Sequence, residues 1–204
     1  MDDSQRERLR VTVEKTFLES IRVKEALCRT STPVVVDMAL MVVKAFREKR
    51  SLFLFGNGGS AADAQHLAAE FVNRFQMDRD PLPAVALTVD TSVLTSIGND
   101  FHFDEIFVKQ LRAIAHPGDI ALGISTSGRS PNVVKALEWA HGHGVGTIGL
   151  AGPSPTAMDR CCDVVLHVPS EVTARIQECH ITAGHIFCAL VEEMLFGAES
   201  SGKI

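Results

Sequence analysis

The sequence predicts an α/β protein, a three-layer, doubly wound, flavodoxin-like sheet of about five parallel strands preceded by helices. Two observations carry this. Short apolar runs follow residue 50, at Leu52 to Phe55, Ala84 to Leu87, Ile120 to Ile124, Thr147 to Leu150 and Val164 to Val168, and such runs suit strands buried on both faces. Helical segments beginning near Ser60, Thr91, Asp104 and Pro131 separate them, and β-α alternation implies right-handed crossovers and a parallel sheet.

The elements follow in order. From Arg6 to Thr30 the apolar residues Leu9, Val13, Phe17, Ile21 and Ala26 recur about every fourth position, which predicts an amphipathic helix. Thr32 before Pro33 reads as an N-cap and first-turn pair, so a second helix is expected through Val35, Met38, Ala39, Val42, Val43 and Phe46 to Glu48-Lys49-Arg50. Residues 1–50 are thus an N-terminal helical pair, whose apolar faces suit packing on other subunits or on the chain's own sheet. Residues 51–197 form the α/β core, with a last helix from about Val172 to Met194, and 198–204 read as a loose tail. Without a repeat, low-complexity stretch or linker, residues 1–204 are expected to make a single domain.

Composition narrows the function. The 204 residues are 46% hydrophobic and 22% charged, with a net charge of −5 and no basic run, so a nucleic-acid partner is not expected. The start, Met1-Asp2-Asp3-Ser4-Gln5-Arg6, is polar and acidic, with no signal-like or spanning stretch behind it, and a cytoplasmic, membrane-free protein is expected. The five cysteines show no CxxC spacing. They are read as reduced and mostly buried, neither a disulfide framework nor a thiolate zinc site.

In open α/β sheets ligands bind beyond the carboxyl ends of strands, and two loops there carry chemistry. Gly56-Asn57-Gly58-Gly59-Ser60 follows the first strand and opens a helix whose N–H groups favour an anion. It has neither a dinucleotide G-x-G-x-x-G nor a P-loop lysine, and a plain tight corner has the same look. Ser125-Thr126-Ser127-Gly128-Arg129-Ser130-Pro131-Asn132 follows the third strand, with Ser130 as the natural N-cap and Pro131 as the first helical residue. Its hydroxyls exceed what a cap requires and suit a phosphate cradle.

Two helical constellations follow. His66 and Glu70 at i, i+4 share a helix face and can reach one metal ion or substrate, although surface His-Glu contacts at that spacing are common. On the last helix Gln177 lies within about 80° of His185 and about 60° from His180 around the axis, so helix geometry leaves open which histidine joins it. Gly184 beside His185 permits close approach of a backbone or ligand.

Together, Gly-Asn-Gly-Gly-Ser running into Ala61 to Glu70, Gly98-Asn99-Asp100, the Ser125 to Ser130 loop and Arg175-Ile176-Gln177-Glu178 resemble the sugar isomerase (SIS) domain of bacterial phosphoheptose isomerases over nearly the whole chain. The resemblance implies one Zn2+ per subunit on His66, Glu70, Gln177 and His185, with His185 rather than His180 as the inner histidine. It implies substrate contacts at Asn57, Gly58, Gly59, Ser60, Arg74, Asn99, Asp100, Ser125, Thr126, Ser127, Ser130 and Gln177. The hydroxyls from Ser125 to Ser130 would hold the phosphate, and Asn57 and Asp100 would take sugar hydroxyls. Some members place an Asp where this chain has Ala174, so this chain does without that carboxylate or uses Glu171, and Arg129 is not a constant feature of the phosphate loop.

The activity implied is an aldose-ketose isomerase taking sedoheptulose 7-phosphate to D-glycero-D-manno-heptose 7-phosphate through an enediol. That is the first step toward ADP- or GDP-heptose precursors and lipopolysaccharide. Glu70 and His185 are the expected catalytic acid/base pair, in a homotetramer with sites between subunits. The chain also resembles a non-enzymatic SIS-type regulator of replication initiation. A phosphosugar-binding regulator and an isomerase of another ketose phosphate are the competing readings, and the complete set of His66, Glu70, Gln177 and His185 argues against the regulator.

Overall fold

The computed structural model describes residues 2–200, with side chains through residue 197. Five strands, β1 (Leu52–Gly56), β2 (Ala84–Ala86), β3 (Ile120–Ser125), β4 (Gly146–Ala151) and β5 (Val164–His167), form one sheet ordered β2-β1-β3-β4-β5, every pair parallel. The helices are α1 (Asp3–Arg47), α2 (Gly59–Val72), α3 (Thr91–Asp100), α4 (Val108–Ile114), α5 (Pro131–Gly142) and α6 (Thr173–Ser200). The expected three-layer, doubly wound fold is what forms.

Strand alternation builds two cores from one sheet. Leu52 and Leu54 of β1 join the core under α1, α2 and α6, while Phe53 and Phe55 join the one under α4 and α5. β1 pairs with β2 on one edge and β3 on the other, Leu52 meeting both Ala84 and Ile120. Because the strand order reverses at β1 and β3, the loops that follow them open side by side, which is where such sheets hold ligands.

Three expectations need correction. The N-terminal helical pair is one 45-residue helix with Pro33 inside it, about 68 Å long. Pro33 withholds one N–H, and the neighbouring hydroxyls of Thr30 and Thr32 bond the carbonyls of Ala26 and Cys28. An interior proline costs about 3 kcal/mol. Burying Leu27, Val35, Met38, Ala39, Val42, Val43 and Phe46, at about 1.5–3 kcal/mol each, outweighs that, and Arg175 of α6 holds Glu19 of the first half at 3.3 Å.

The expected tail is also partly helical. α6 continues to Ser200, and residues 201–204 lie outside the described residues. Met194, Leu195 and Phe196 pack on the core, and Arg47 donates to the Met194 carbonyl at 3.1 Å. Near Asp104 the expected helix begins as a 3-10 turn, Phe103–Glu105, before α4. All five cysteines are free: Cys161, Cys179 and Cys188 are buried, Cys162 half-buried and Cys28 exposed.

Candidate functional site

α2 and α6 pack face to face because Gly184 lets Leu67 approach its backbone. A Cβ at Gly184 would lie 2.7 Å from Leu67 Cδ2. One residue on, His185 meets His66, their Nε2 atoms 2.8 Å apart, and Glu70 Oε1 lies 3.2 Å from His66 Nε2. The donor atoms of His66, Glu70 and His185 all lie within 4.8 Å of one another. Tetrahedral zinc with bonds of about 2.0–2.2 Å spaces its ligands by about 3.4 Å, so two imidazole nitrogens and a carboxylate oxygen at these distances fit such an ion. Asp63, one turn before His66, has a buried Oδ2 with no hydrogen-bond donor among the described residues. Burial raises its carboxyl above the ordinary range, with His66 pulling the other way.

α6 also separates its histidines. His180 is fully buried, its Nε2 3.1 Å from the Ala151 carbonyl. Burial pushes its pKa down to about 4, with the hydrogen bond to Ala151 opposing. It is a core histidine, and His185 is the one facing α2. The Gln177 amide, also on α6, lies against Gly59 of α2, where a Cβ would sit 2.5 Å from Nε2. Gly59 is about two turns before His66 on α2, and the expected ligands whose donor atoms converge in the structure are His66, Glu70 and His185.

The two loops at the strand reversal meet through a reciprocal amide pair. Asn57 Nδ2 donates to Asn132 Oδ1 at 2.9 Å, and Asn132 Nδ2 returns the bond at 2.8 Å. Gly58 turns the first loop at φ +56°, a conformation that favours glycine, and Ser60 is buried behind it. In the second loop Ser125 Oγ lies 2.9 Å from Ser130 Oγ and 3.4 Å from Ser127 Oγ. Ser130 occupies the N-cap position of α5, as expected, but its hydroxyl makes no capping bond and turns to Ser125. Thr126, Ser127 and Arg129 line a cavity of about 350 Å³ with Glu171 and Thr173.

Residues 17–152 match the SIS domain. A phosphoheptose isomerase from Aquifex aeolicus is 50% identical over 183 residues, covering 90% of this chain and 96% of that protein. The chain belongs to the phosphoheptose isomerase family. Phosphoheptose isomerase 2 from Campylobacter jejuni is 47% identical, covering 97% and 99%. The structure of a phosphoheptose isomerase from Neisseria gonorrhoeae superposes with a TM-score of 0.86 at 41% identity, covering 91% and 99%. The sugar isomerase domain of an RpiR transcription factor from Sphaerobacter thermophilus (TM-score 0.61, 18% identity, covering 93% and 97%) shares the fold alone.

Within this family member, three expected contacts lie on the exposed surface. Arg74 is exposed just beyond α2, and Asn99 and Asp100 are exposed at the end of α3, hydrogen-bonded to each other at 2.8 Å. Two residues near the site were not singled out from sequence. Asn132 is 1% exposed and holds Asn57, and its place in the second loop was the available signal. Phe75 stacks on His185 with ring centroids 5.5 Å apart and an interplanar angle of 22°, a contact between residues too distant in sequence for any local pattern.

Proposed function

We propose that this family member interconverts sedoheptulose 7-phosphate and D-glycero-D-manno-heptose 7-phosphate at the cleft between α2, α6 and the loops after β1 and β3. The observation that carries it is the convergence of His66 Nε2, Glu70 Oε1 and His185 Nε2 within 4.8 Å. His66, Glu70 and His185 would hold a zinc ion, with Gln177 as a fourth ligand. When bound, zinc polarises the sugar carbonyl and stabilises the enediolate charge.

Moving the carbonyl from C2 to C1 requires taking a proton from C1 and returning one at C2. Glu70 is the base that carries it, and His185 is its acid/base partner at the sugar oxygens. Glu70 has two carboxylate oxygens: Oε1, which lies 3.2 Å from His66 Nε2, would serve a metal, and Oε2 would take the proton. Ser125, Thr126, Ser127 and Ser130 hold the phosphate with the first N–H groups of α5. Asn57, Gly58, Gly59 and Ser60 from the first loop and Gln177 from α6 face the sugar. Arg74, Asn99 and Asp100 complete the contacts on substrate binding or from another subunit.

The assembly we propose is a homotetramer. Leu9, Val13, Phe17 and Ile21 are 49, 54, 67 and 51% exposed along α1, and an apolar groove of about 340 Å³ lies between α1 and α6. Such faces are covered by other subunits, and light scattering near the 22.1 kDa chain mass would refute it. The cytoplasm and heptose supply for lipopolysaccharide complete the reading.

The test is turnover of sedoheptulose 7-phosphate with and without added zinc, beside Glu70→Gln and His185→Ala. Wild-type activity falling at least about 10²-fold in both variants supports the assignment. A folded, zinc-loaded wild type without turnover refutes it and points to another ketose phosphate.

A further inference from the structure

Arg79 and Glu192 form an ion pair at 3.0 Å in which each side chain is 1% exposed. Neither belongs to the residues assigned above. Glu192 lies seven residues after His185, about two turns, on the same face of α6. Its Oε1 accepts from Phe75 N at 2.8 Å as well as from Arg79 Nε, and its Oε2 accepts from Gln76 N at 2.8 Å and Met77 N at 3.1 Å. Burial opposes the charge on Glu192, but these N–H groups and Arg79 hold its carboxyl below the ordinary range. Arg79 donates onward to the carbonyls of Glu70 at 2.8 Å and Phe71 at 2.6 Å, closing the end of α2.

A buried ion pair is a poor source of net stability, because desolvation offsets most of the attraction. What this one supplies is direction. The segment it binds is otherwise irregular, with Asn73, Arg74, Gln76 and Asp78 exposed, and its one inward aromatic ring is Phe75, stacked on His185. A histidine ring held flat on one face has its plane fixed, and here Nε2 at its edge lies 2.8 Å from His66 Nε2.

We propose that the Arg79–Glu192 pair and Phe75 are positioning residues of the active site. The pair pins the backbone of residues 75–77, Phe75 lies against His185, and His185 Nε2 is thereby aimed at His66 and Glu70. This rests on the assignment of His185 above, and the test separates the two.

The first readout needs neither metal nor substrate: the Cε1–Hε1 resonance of His185 in metal-free protein carrying 13C-labelled histidine, assigned with His185→Gln. The wild type gives one narrow signal, whereas Phe75→Leu, which keeps apolar bulk, and Glu192→Gln broaden or split it. Zinc affinity, measured by chelator competition, falls about 10- to 100-fold in both variants. The loss in turnover falls on kcat, with KM for sedoheptulose 7-phosphate within about twofold, and Phe75→Tyr restores all three readouts. If Glu192→Gln does not fold, Phe75→Leu decides alone. A folded Phe75→Leu with a single narrow His185 resonance and zinc affinity within about twofold of wild type overturns the proposal. Loss of ring order in that variant, in a wild type that turns over no sedoheptulose 7-phosphate, upholds the positioning and refutes the reaction.

Discussion

Replacing Gly184 with alanine places a methyl group where α2 and α6 touch. The new Cβ would sit 2.7 Å from Leu67 Cδ2 and 2.9 Å from Cδ1, against ordinary carbon contacts of about 3.5–4.0 Å. Leu67 is 1% exposed, and where its methyl groups stay in place α2 and α6 part by up to about 1 Å. Overpacking costs about 1–3 kcal/mol, and alanine's better helix propensity returns about 1 kcal/mol, leaving a net loss of about 0–2 kcal/mol. The site feels the change more than the fold does. His66 adjoins Leu67 and His185 adjoins Gly184, so a displacement of that size exceeds the tolerance of about 0.2 Å on metal bonds. A misplacement of that order costs about 10²-fold in rate. Urea unfolding, chelator competition and kcat/KM on one preparation measure all three quantities. Unchanged zinc affinity and kcat/KM in Gly184→Ala would refute the reasoning, showing that Leu67 repacks without moving α2. Leu67→Val combined with Gly184→Ala is expected to recover part of the loss.

Gly59→Ala meets only the flexible end of Gln177, so stability is expected to hold or rise by up to about 1 kcal/mol, while turnover drops to the level of Gln177→Ala. Full activity in Gly59→Ala beside an impaired Gln177→Ala would show that this placement of the amide is not used. The unfolded His180 takes up its proton near pH 6.5 and the folded one at about 4. The unfolded state therefore binds more protons between those values, and stability falls by about 3 kcal/mol as pH drops from 6.5 to about 4. Urea midpoints measured across that range should flatten in His180→Leu, leaving the part lost at lower pH as Glu192 takes up its proton, and an equally steep curve would refute the assignment. Asn132→Ala leaves Asn57 without its partner at 2.8 and 2.9 Å and should cost about 1–3 kcal/mol; an unchanged midpoint would show that water replaces the pair.

The sequence by itself determined the β-α alternation, the strands to within about one residue of their ends, the two loops beyond β1 and β3, and the pairing of His66 with Glu70. Each depends on residues within a turn or a strand of one another, where period and hydroxyl or glycine content act locally. Tertiary structure decided the rest. Pro33 reads as a helix start by every local rule, yet core burial on both sides of it keeps α1 continuous. Ser130 occupies its cap position, but its hydroxyl turns to Ser125. His180 and His185 are equivalent on a bare helix, and docking of α6 against α1 and α2 buried the first against the Ala151 carbonyl and turned the second to His66. The contact between His66 and His185 joins positions 119 residues apart, and no local spacing encodes it. Which face of a helix is buried, and against what, is set by the competition of all apolar surfaces for one core, and that competition is resolved only when the chain is packed.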